Sequence, residues 1–363
     1  MRTVDFSYRV LRGGAFYGYL QCPTAGTPVI RMDESAEIKT SLSGTFASLV
    51  TDADGNRIEA DWMSDEIQPV LILDGIKHSL GVFAAASVTP TETNGAESLQ
   101  IEAYDRCWRV RDTNTTGRLY YAAGTAYLNI IKALLADAGI SVVLATPSAA
   151  VLTEDREDWE IGTSYLTIIN QLLGEIAYNP LYFNADGFAI IEPASMPTAD
   201  AIEHRISDEP EEIAAGATQI DRMLPQISRE TDVYNSPNVF VAWCANPEKS
   251  DINMVAVAEN NNPQSPLSIP RRGRRIVRAT RLDNIAGQDE LQAYVDRERN
   301  ESLIGGETIR IVTALQPGYG VNDVVALRYK DFDAICLLRV CTMELRVGGA
   351  MQMSLQKVVY NFG

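Results

Sequence analysis

The chain has 363 residues, 46% apolar and 22% charged, with a formal charge of −17. That length allows two or three domains with cores of their own, and the composition is that of an ordinary globular protein. The acidic balance argues against wrapping nucleic acid, since phosphate binding draws on positive charge, and no apolar stretch approaches the ~20 residues of a membrane helix, so no membrane insertion is expected.

The start, Met1-Arg2-Thr3-Val4-Asp5, lacks a basic segment followed by an apolar one, which predicts folding in a cytoplasm without a leader. Tyr8, Phe16, Tyr17 and Tyr19 flank Gly13-Gly14 and Gly18, the pattern of strand packing in a hairpin. Ala36, Ile38, Thr40 and Leu42 alternate with polar residues, as Leu99, Ile101 and Ala103 do, predicting half-buried strands. Asp74-Gly75 between Val70–Leu73 and Leu80–Phe83 is a hairpin turn signal, and Asp52-Ala53-Asp54-Gly55-Asn56 is another turn. Residues 1–112 are therefore expected to be all-β, a small barrel or sandwich.

Helical patterning begins after Gly124. Thr125 is a candidate N-cap and Gly139 a C-terminal stop, with Leu128, Ile131, Leu134 and Leu135 on one apolar face between them. A second helix is predicted over 163–177, burying Tyr165, Ile168, Ile169, Leu172 and Leu173, and Asn179-Pro180 ends it. A hairpin follows, 181–183 against 188–191. Pro193 to Pro225 is acidic and interrupted by prolines, the mark of a connecting region. Val239–Trp243 and Met254–Ala258 form a predicted strand pair, 260–270 a loop, and 287–303 a helix with Asp289 and Glu290 at its start and Arg297 and Arg299 later, as the helix dipole favours. The end is all-β, over 308–313, 324–329, 335–347 and 351–359.

The chemistry-bearing residues are few. Cys22, Cys107, Cys244, Cys336 and Cys341 are odd in number and contain no C-x-x-C pair, so neither a disulfide framework nor a zinc site is expected; Cys336 and Cys341 are predicted buried thiols. Only His78 and His204 could serve a histidine triad or zinc site, and neither has metal-ligand spacing, so both are assigned as surface or turn residues. No phosphate-binding glycine motif occurs. Asp52, Asp54 and Asn56 begin like a calcium loop, but Arg57 and Met63 stand where Gly and Glu are needed. The acidic run Glu154-Asp155-Arg156-Glu157-Asp158-Trp159-Glu160 could supply two carboxylates for glycoside cleavage, yet contiguous residues with Arg156 among them point to a solvated loop. No catalytic residue, metal ligand or cofactor is assigned. Arg271, Arg272, Arg274 and Arg275, with Arg278 and Arg281 beyond, form the one strong basic run. Without interleaved aromatics it lacks a base-stacking platform, and in a −17 chain it is expected to meet an acidic neighbouring subunit or to form a solvated rim.

The order of motifs resembles the baseplate hub proteins of phage tails, the tail-tube-like ring that joins tube to central spike. The resemblance is carried by Ile38-Lys39-Thr40-Ser41-Leu42-Ser43-Gly44-Thr45-Phe46, then Ser64-Asp65-Glu66-Ile67-Gln68-Pro69, Asp74-Gly75, Leu80-Gly81-Val82-Phe83 and Ala103-Tyr104-Asp105. Trp159-Glu160-Ile161-Gly162-Thr163-Ser164, Tyr178-Asn179-Pro180-Leu181 and Asp186-Gly187 match in the middle. Asp289–Tyr294, Glu307-Thr308-Ile309, Pro317 and Asn322-Asp323-Val324-Val325 match near the end. Asn322 replaces the Gly that often precedes the Asp and paired valines. Some relatives carry an appended cell-wall hydrolase domain, which is not expected in a chain ending at Gly363.

The resulting expectation is a mainly β protein with an α+β middle: a first antiparallel β-barrel over 1–112, a helix-containing domain over 113–227, and a second β-barrel over 228–363 with a helix inserted near 287–303. The resemblance implies a non-enzymatic subunit of a phage or phage-derived particle. It further implies a homotrimer whose partners are the tail tube, central spike, tape measure and baseplate wedge proteins, assembled in a bacterial cytoplasm, with DNA only as passing cargo. A cell-wall hydrolase using 154–160 and a peripheral receptor- or carbohydrate-binding protein are the alternatives.

Overall fold

A computed structural model of the chain describes residues 3–23, 26–93, 95–194, 199–208, 220–231, 236–245, 253–282, 288–303 and 306–359. The chain is mainly β, and its contacts divide it into two units. One comprises Met1–Ser195, Ala314–Val321 and Val340–Met351, the other Met196–Thr313, Asn322–Arg339 and Gln352–Gly363.

In the first unit, β1 (Val4–Arg12), β2 (Ala15–Leu20), β3 (Val29–Asp33), β4 (Thr40–Ala47), β5 (Val50–Thr51), β6 (Arg57–Ile58), β7 (Glu66–Leu73), β8 (Ile76–Ser79), β9 (Phe83–Thr93) and β10 (Ala96–Asp105) follow one another. Their hydrogen-bonded order runs β3-β4-β10-β9-β7-β1-β2, and the six strands from β4 to β2 form the ring, with β3 beside β4. The ring closes where the Ala47 N–H donates to the Gln21 carbonyl at 2.8 Å, joining the end of β4 to the end of β2. The segment Val340–Glu344 pairs antiparallel with β3 on the outside of this path. Period-two alternation sends Val10, Leu42, Phe46, Ile67 and Ile101 inward, and the Tyr8 and Phe46 rings meet edge-on at 5.2 Å. Asp74 and Gly75 both have positive φ, +50° and +83°, the backbone of a tight hairpin turn.

Two expectations for this unit are corrected. The hairpin after Asp74-Gly75 returns through Ile76–Ser79 rather than Leu80–Phe83. The stretch 34–39 is a turn, not strand, and Ile38 leaves the barrel to join the helical core.

That core follows β10. The region expected to be all-β ends in a helix, α1 (Cys107–Asp112), whose first N–H (Cys107) donates to the Asp105 carboxylate at 2.9 Å. Next come α2 (Tyr127–Asp137), β11 (Val143–Ala145), α3 (Tyr165–Glu175), β12 (Tyr182–Phe183) and β13 (Ala189–Ile191). The apolar stripes of the two longer helices bury Ile131, Leu135, Ile169 and Leu172 in one cluster with Cys107 and Val110. Ala126, not Thr125, caps α2; the Thr125 hydroxyl donates instead to the Ala122 carbonyl. Gly139, at φ +81°, ends the helix as expected: its N–H reaches the Ala136 carbonyl and that of Ile140 reaches Leu135, a Schellman closure.

In the second unit the elements are β14 (His204–Ser207), β15 (Ile220–Glu230), β16 (Val239–Ala245), β17 (Asn253–Glu259), α4 (Ile269–Arg272), β18 (Val277–Arg281), α5 (Gln288–Leu303), β19 (Thr308–Ala314), β20 (Val324–Tyr329), β21 (Phe332–Glu344, here to Arg339) and β22 (Ala350–Lys357, here from Gln352). A second ring runs β20-β14-β15-β19-β22-β21, and β21 pairs back to β20. Cys336 and Leu338 point into it, with Ile206, Val325, Ile309 and Ile311. The acidic stretch after Pro193 is therefore more than a connector: its four residues His204–Ser207 lie parallel between β15 and β20. The remainder of that stretch at 195–198 and 209–219 lies outside the described residues. Asn322 has φ +71°, which explains how Asn stands in for Gly: both tolerate the left-handed region.

The expected strand pair forms as β16 against β17, and β18 joins β16 in parallel as a third strand. One face of this small sheet is filled by α5, with Phe240, Ala242, Ala256, Ala258, Leu291 and Val295 buried together.

Candidate functional site

The basic run sits on a turn-and-helix piece beside the three-stranded sheet. Ser268 caps the one-turn helix α4 by accepting from the Arg271 N–H, and Gly273 ends it at φ +63°. Arg271 and Arg272 thus occupy the last turn, where cations meet the carbonyl end of the helix. A fully buried Asn238 holds the run in place. Its amide donates to the carbonyls of Leu267 at 3.1 Å and Arg274 at 3.0 Å, and its oxygen accepts from the Ile276 N–H at 2.7 Å. Sequence reasoning missed Asn238; a lone Asn before a strand carries no signal for such a role.

The structure does not leave all six arginines equally available. Arg275 pairs with Glu259 at 3.0 Å, and Arg278 with Glu298 on α5 at 3.0 Å, near the Phe240 ring. The Arg272 guanidinium donates to the Ser236 carbonyl at 2.5 Å. Arg271 and Arg274 are exposed and form no ion pair among the described residues.

The acidic run 154–160 has the geometry of a braced loop. Asp155 accepts from the Ala123 N–H at 2.8 Å and the Tyr120 hydroxyl at 2.9 Å, and these bonds hold its carboxyl below the usual range. Arg156 is buried, bound to Asp158 and, at 2.8 Å, to Glu175, and stacked near the Trp159 ring. A proton-donating carboxyl for glycoside cleavage needs the opposite shift. Among the described residues the carboxyl that is pushed up, to about 7 by burial, is Asp105, enclosed at the junction of β10 and α1.

The remaining candidates fall into place individually. Asp52 accepts from the Asp54 and Asn56 N–H groups at 2.9 and 2.8 Å, closing the β5–β6 turn. The Phe16 and Tyr19 rings meet at a tilt of 56° with centroids 4.9 Å apart, and Arg12 covers the Tyr17 ring at 3.7 Å, contacts of strand packing as expected. Cys336 and Cys341 are buried thiols as expected, and burial pushes Cys336 up to about 12. The side chain of Cys244 lies outside what is described. His78 lies on β8 opposite Leu71. His204 is not a turn residue: it opens β14, and its Nε2 lies 3.0 Å from Asp323. With Glu203 it forms a group whose three ligand atoms lie within 4.8 Å of one another, able to hold a divalent cation. In-register parallel pairing of β14 with β20 brings these distant residues together, which no sequence spacing could reveal.

Whole-chain comparison then decides the kind of fold. The chain superposes on a tail protein from Neisseria meningitidis MC58 with a TM-score of 0.66, at 14% identity over 97% of both chains. It matches the 43 kDa tail protein of prophage MuSo2 from Shewanella oneidensis with a TM-score of 0.65, at 11% identity over 96% of this chain and 98% of that one. The chain has the phage tail-protein fold. A third likeness, TM-score 0.53 at 10% identity over 99% of this chain and 77% of the other, is to the Escherichia coli c3393 protein, a type VI secretion component described as structurally similar to T4 tail proteins gp27 and gp5. The baseplate-hub resemblance of the motifs thus has its counterpart in solved folds. No protein-family model and no curated protein matches the chain.

Proposed function

We propose that the chain is a structural hub subunit of a phage or phage-derived tail baseplate, three copies of which form a ring around the axial channel. The observation that carries this reading is the presence of two closed six-stranded rings in one chain. Three copies then present six such units, the number that a six-fold tube above would meet. Closure also suits a part that must stack without aggregating, because a barrel leaves no long free strand edge. On this reading the tail tube, central spike, tape measure and wedge proteins are the neighbours, and DNA is cargo that an acidic chain does not hold. Arg271, Arg272, Arg274 and Arg275 dock on an acidic neighbour.

The test is position and stoichiometry in the particle. A low-resolution image with this subunit labelled should place three copies on the tail axis between tube and spike. Peripheral density, or six copies in the ring, overturns the reading. The hydrolase alternative is tested separately: Asp155→Asn and Asp158→Asn should leave particle assembly and killing unchanged. Peptidoglycan hydrolysis by the purified chain, lost in either variant, would reverse the assignment.

A further inference from the structure

The β17-β16-β18 sheet packs one face on α5, and on its other face β17 and β18 present exposed residues while Val239, at one end of that face, is buried. Phe240, Ala242, Ala256 and Ala258 point toward α5 and are buried. Alternation sends the intervening residues to the other side. There the register sets Trp243 beside Val255 and Arg281, and Val241 beside Val257 and Ala279. Val255, Val257 and Val277 are 55%, 47% and 56% exposed. Single exposed apolar residues need no explanation, but three valines on one pleated face form a patch of the kind that marks an interaction site.

Two further features narrow what covers it. The outer edge of β17 is closed by α5: the Gln288 amide donates to the Val255 carbonyl at 3.0 Å and that of Gln292 to the Val257 carbonyl at 3.4 Å. An added strand on that edge would have to displace them, so a partner meets the face of the sheet rather than this edge. At the end of the face where β18 begins stands the basic run, with Arg271 and Arg274 unengaged among the described residues. An apolar centre rimmed by arginine fits an acidic partner. A second copy of this chain, at a formal −17, is such a partner.

We infer that the Val255–Val257–Val277 face, with Arg271 and Arg274 at its rim, is a contact surface for the neighbouring copy in the assembly. This rests on the proposed ring of copies and names the surface by which two of them meet. The apolar face supplies burial, and the arginines offset the repulsion between two acidic chains.

The experiment uses the full chain. A photo-reactive benzoylphenylalanine in place of Val257 should, on irradiation, give a cross-linked band at twice the subunit mass. Val255→Asp should abolish that band and weaken self-association about 30-fold or more, the size of a hot-spot loss. Arg271→Glu with Arg274→Glu should weaken it too, and added salt should mimic that variant. Circular dichroism checks that each variant remains folded, as expected for exposed positions. A wild type that stays monomeric by light scattering at tens of micromolar overturns both the ring and this surface. A multimeric wild type whose mass is unchanged by Val255→Asp, with no cross-link from position 257, overturns the surface alone.

Discussion

Arg106 grips Glu66 in a two-point bond, Nε to Oε1 at 2.9 Å and Nη2 to Oε2 at 2.7 Å, while its third nitrogen, Nη1, donates to the Gly187 carbonyl at 2.7 Å. Glu66 is buried on β7, and Gly187 is the turn between β12 and β13. One side chain therefore fastens the first barrel to the helical core of the same unit. Replacing it leaves a buried carboxylate with only Arg109, 3.4 Å away, as a partner. Arg106→Met should cost about 3 kcal/mol in urea unfolding, and adding Glu66→Leu should recover most of that loss, because removing both charges leaves nothing unpaired.

Gly187 is constrained from two sides. Its φ is +76°, and a Cβ there would stand 2.8 Å from the Val82 side chain and 3.1 Å from Arg106 Nη1. Gly187→Ala should lower stability by about 1–3 kcal/mol, whereas Gly124→Ala, at φ +83° with nothing within 4 Å, should cost about 1 kcal/mol from backbone strain alone. Thermal melts of the two variants check the ranking.

Asp105 predicts a pH dependence. Burial pushes its carboxyl up to about 7 in the fold, against ~3.9 for an exposed Asp. Between those values the folded chain keeps a proton that the unfolded chain has lost. This group's contribution to stability is therefore full below about pH 4, falls as pH rises to about 7, and is flat above. The Cys107 and Thr40 N–H groups donate to different oxygens of Asp105, so Asp105→Asn keeps an acceptor for only one of them and takes a loss that does not depend on pH. The stability difference between wild type and this variant should change by on the order of 3–4 kcal/mol between pH 4 and pH 8, the variant gaining at high pH. An unchanged difference across the two conditions would contradict a carboxyl that titrates there.

Asn238→Ala removes three hydrogen bonds at a fully buried position and leaves the Leu267 and Arg274 carbonyls and the Ile276 N–H to find other partners. A loss of about 2–4 kcal/mol is expected. Hydrogen exchange should show the effect concentrated at 265–277, with the first barrel unaffected.

The elements that announced themselves did so by period. The apolar stripes of α2 and α3, and the Asp-Gly turn after Leu73, are local patterns that local physics satisfies. What stayed hidden depends on partners far along the chain. β14 is four residues long, includes a charge, and is a strand only because β15 and β20 flank it. Ile38 follows the alternation of a strand yet lies in a turn, because the helical core takes it. The docking arginines were visible as a run. That Arg275 and Arg278 pair within the chain, while Asn238 fixes the backbone between Leu267 and Ile276, could not be seen without the fold.

The pairing of β3 with Val340–Glu344 has a consequence for how the molecule is made. The first unit spans the N-terminal half of the chain, yet one of its strands is synthesised almost last. A ribosome that has released the first 200 residues has delivered a barrel whose β3 still lacks a neighbour on one side. The second ring waits in the same way, since β14 has only β15 beside it until β20 emerges. Contacts of such long sequence separation form slowly, and an uncovered strand edge in the meantime invites pairing with another nascent chain. Chains truncated before Val340 should therefore accumulate as aggregates rather than as a folded N-terminal fragment.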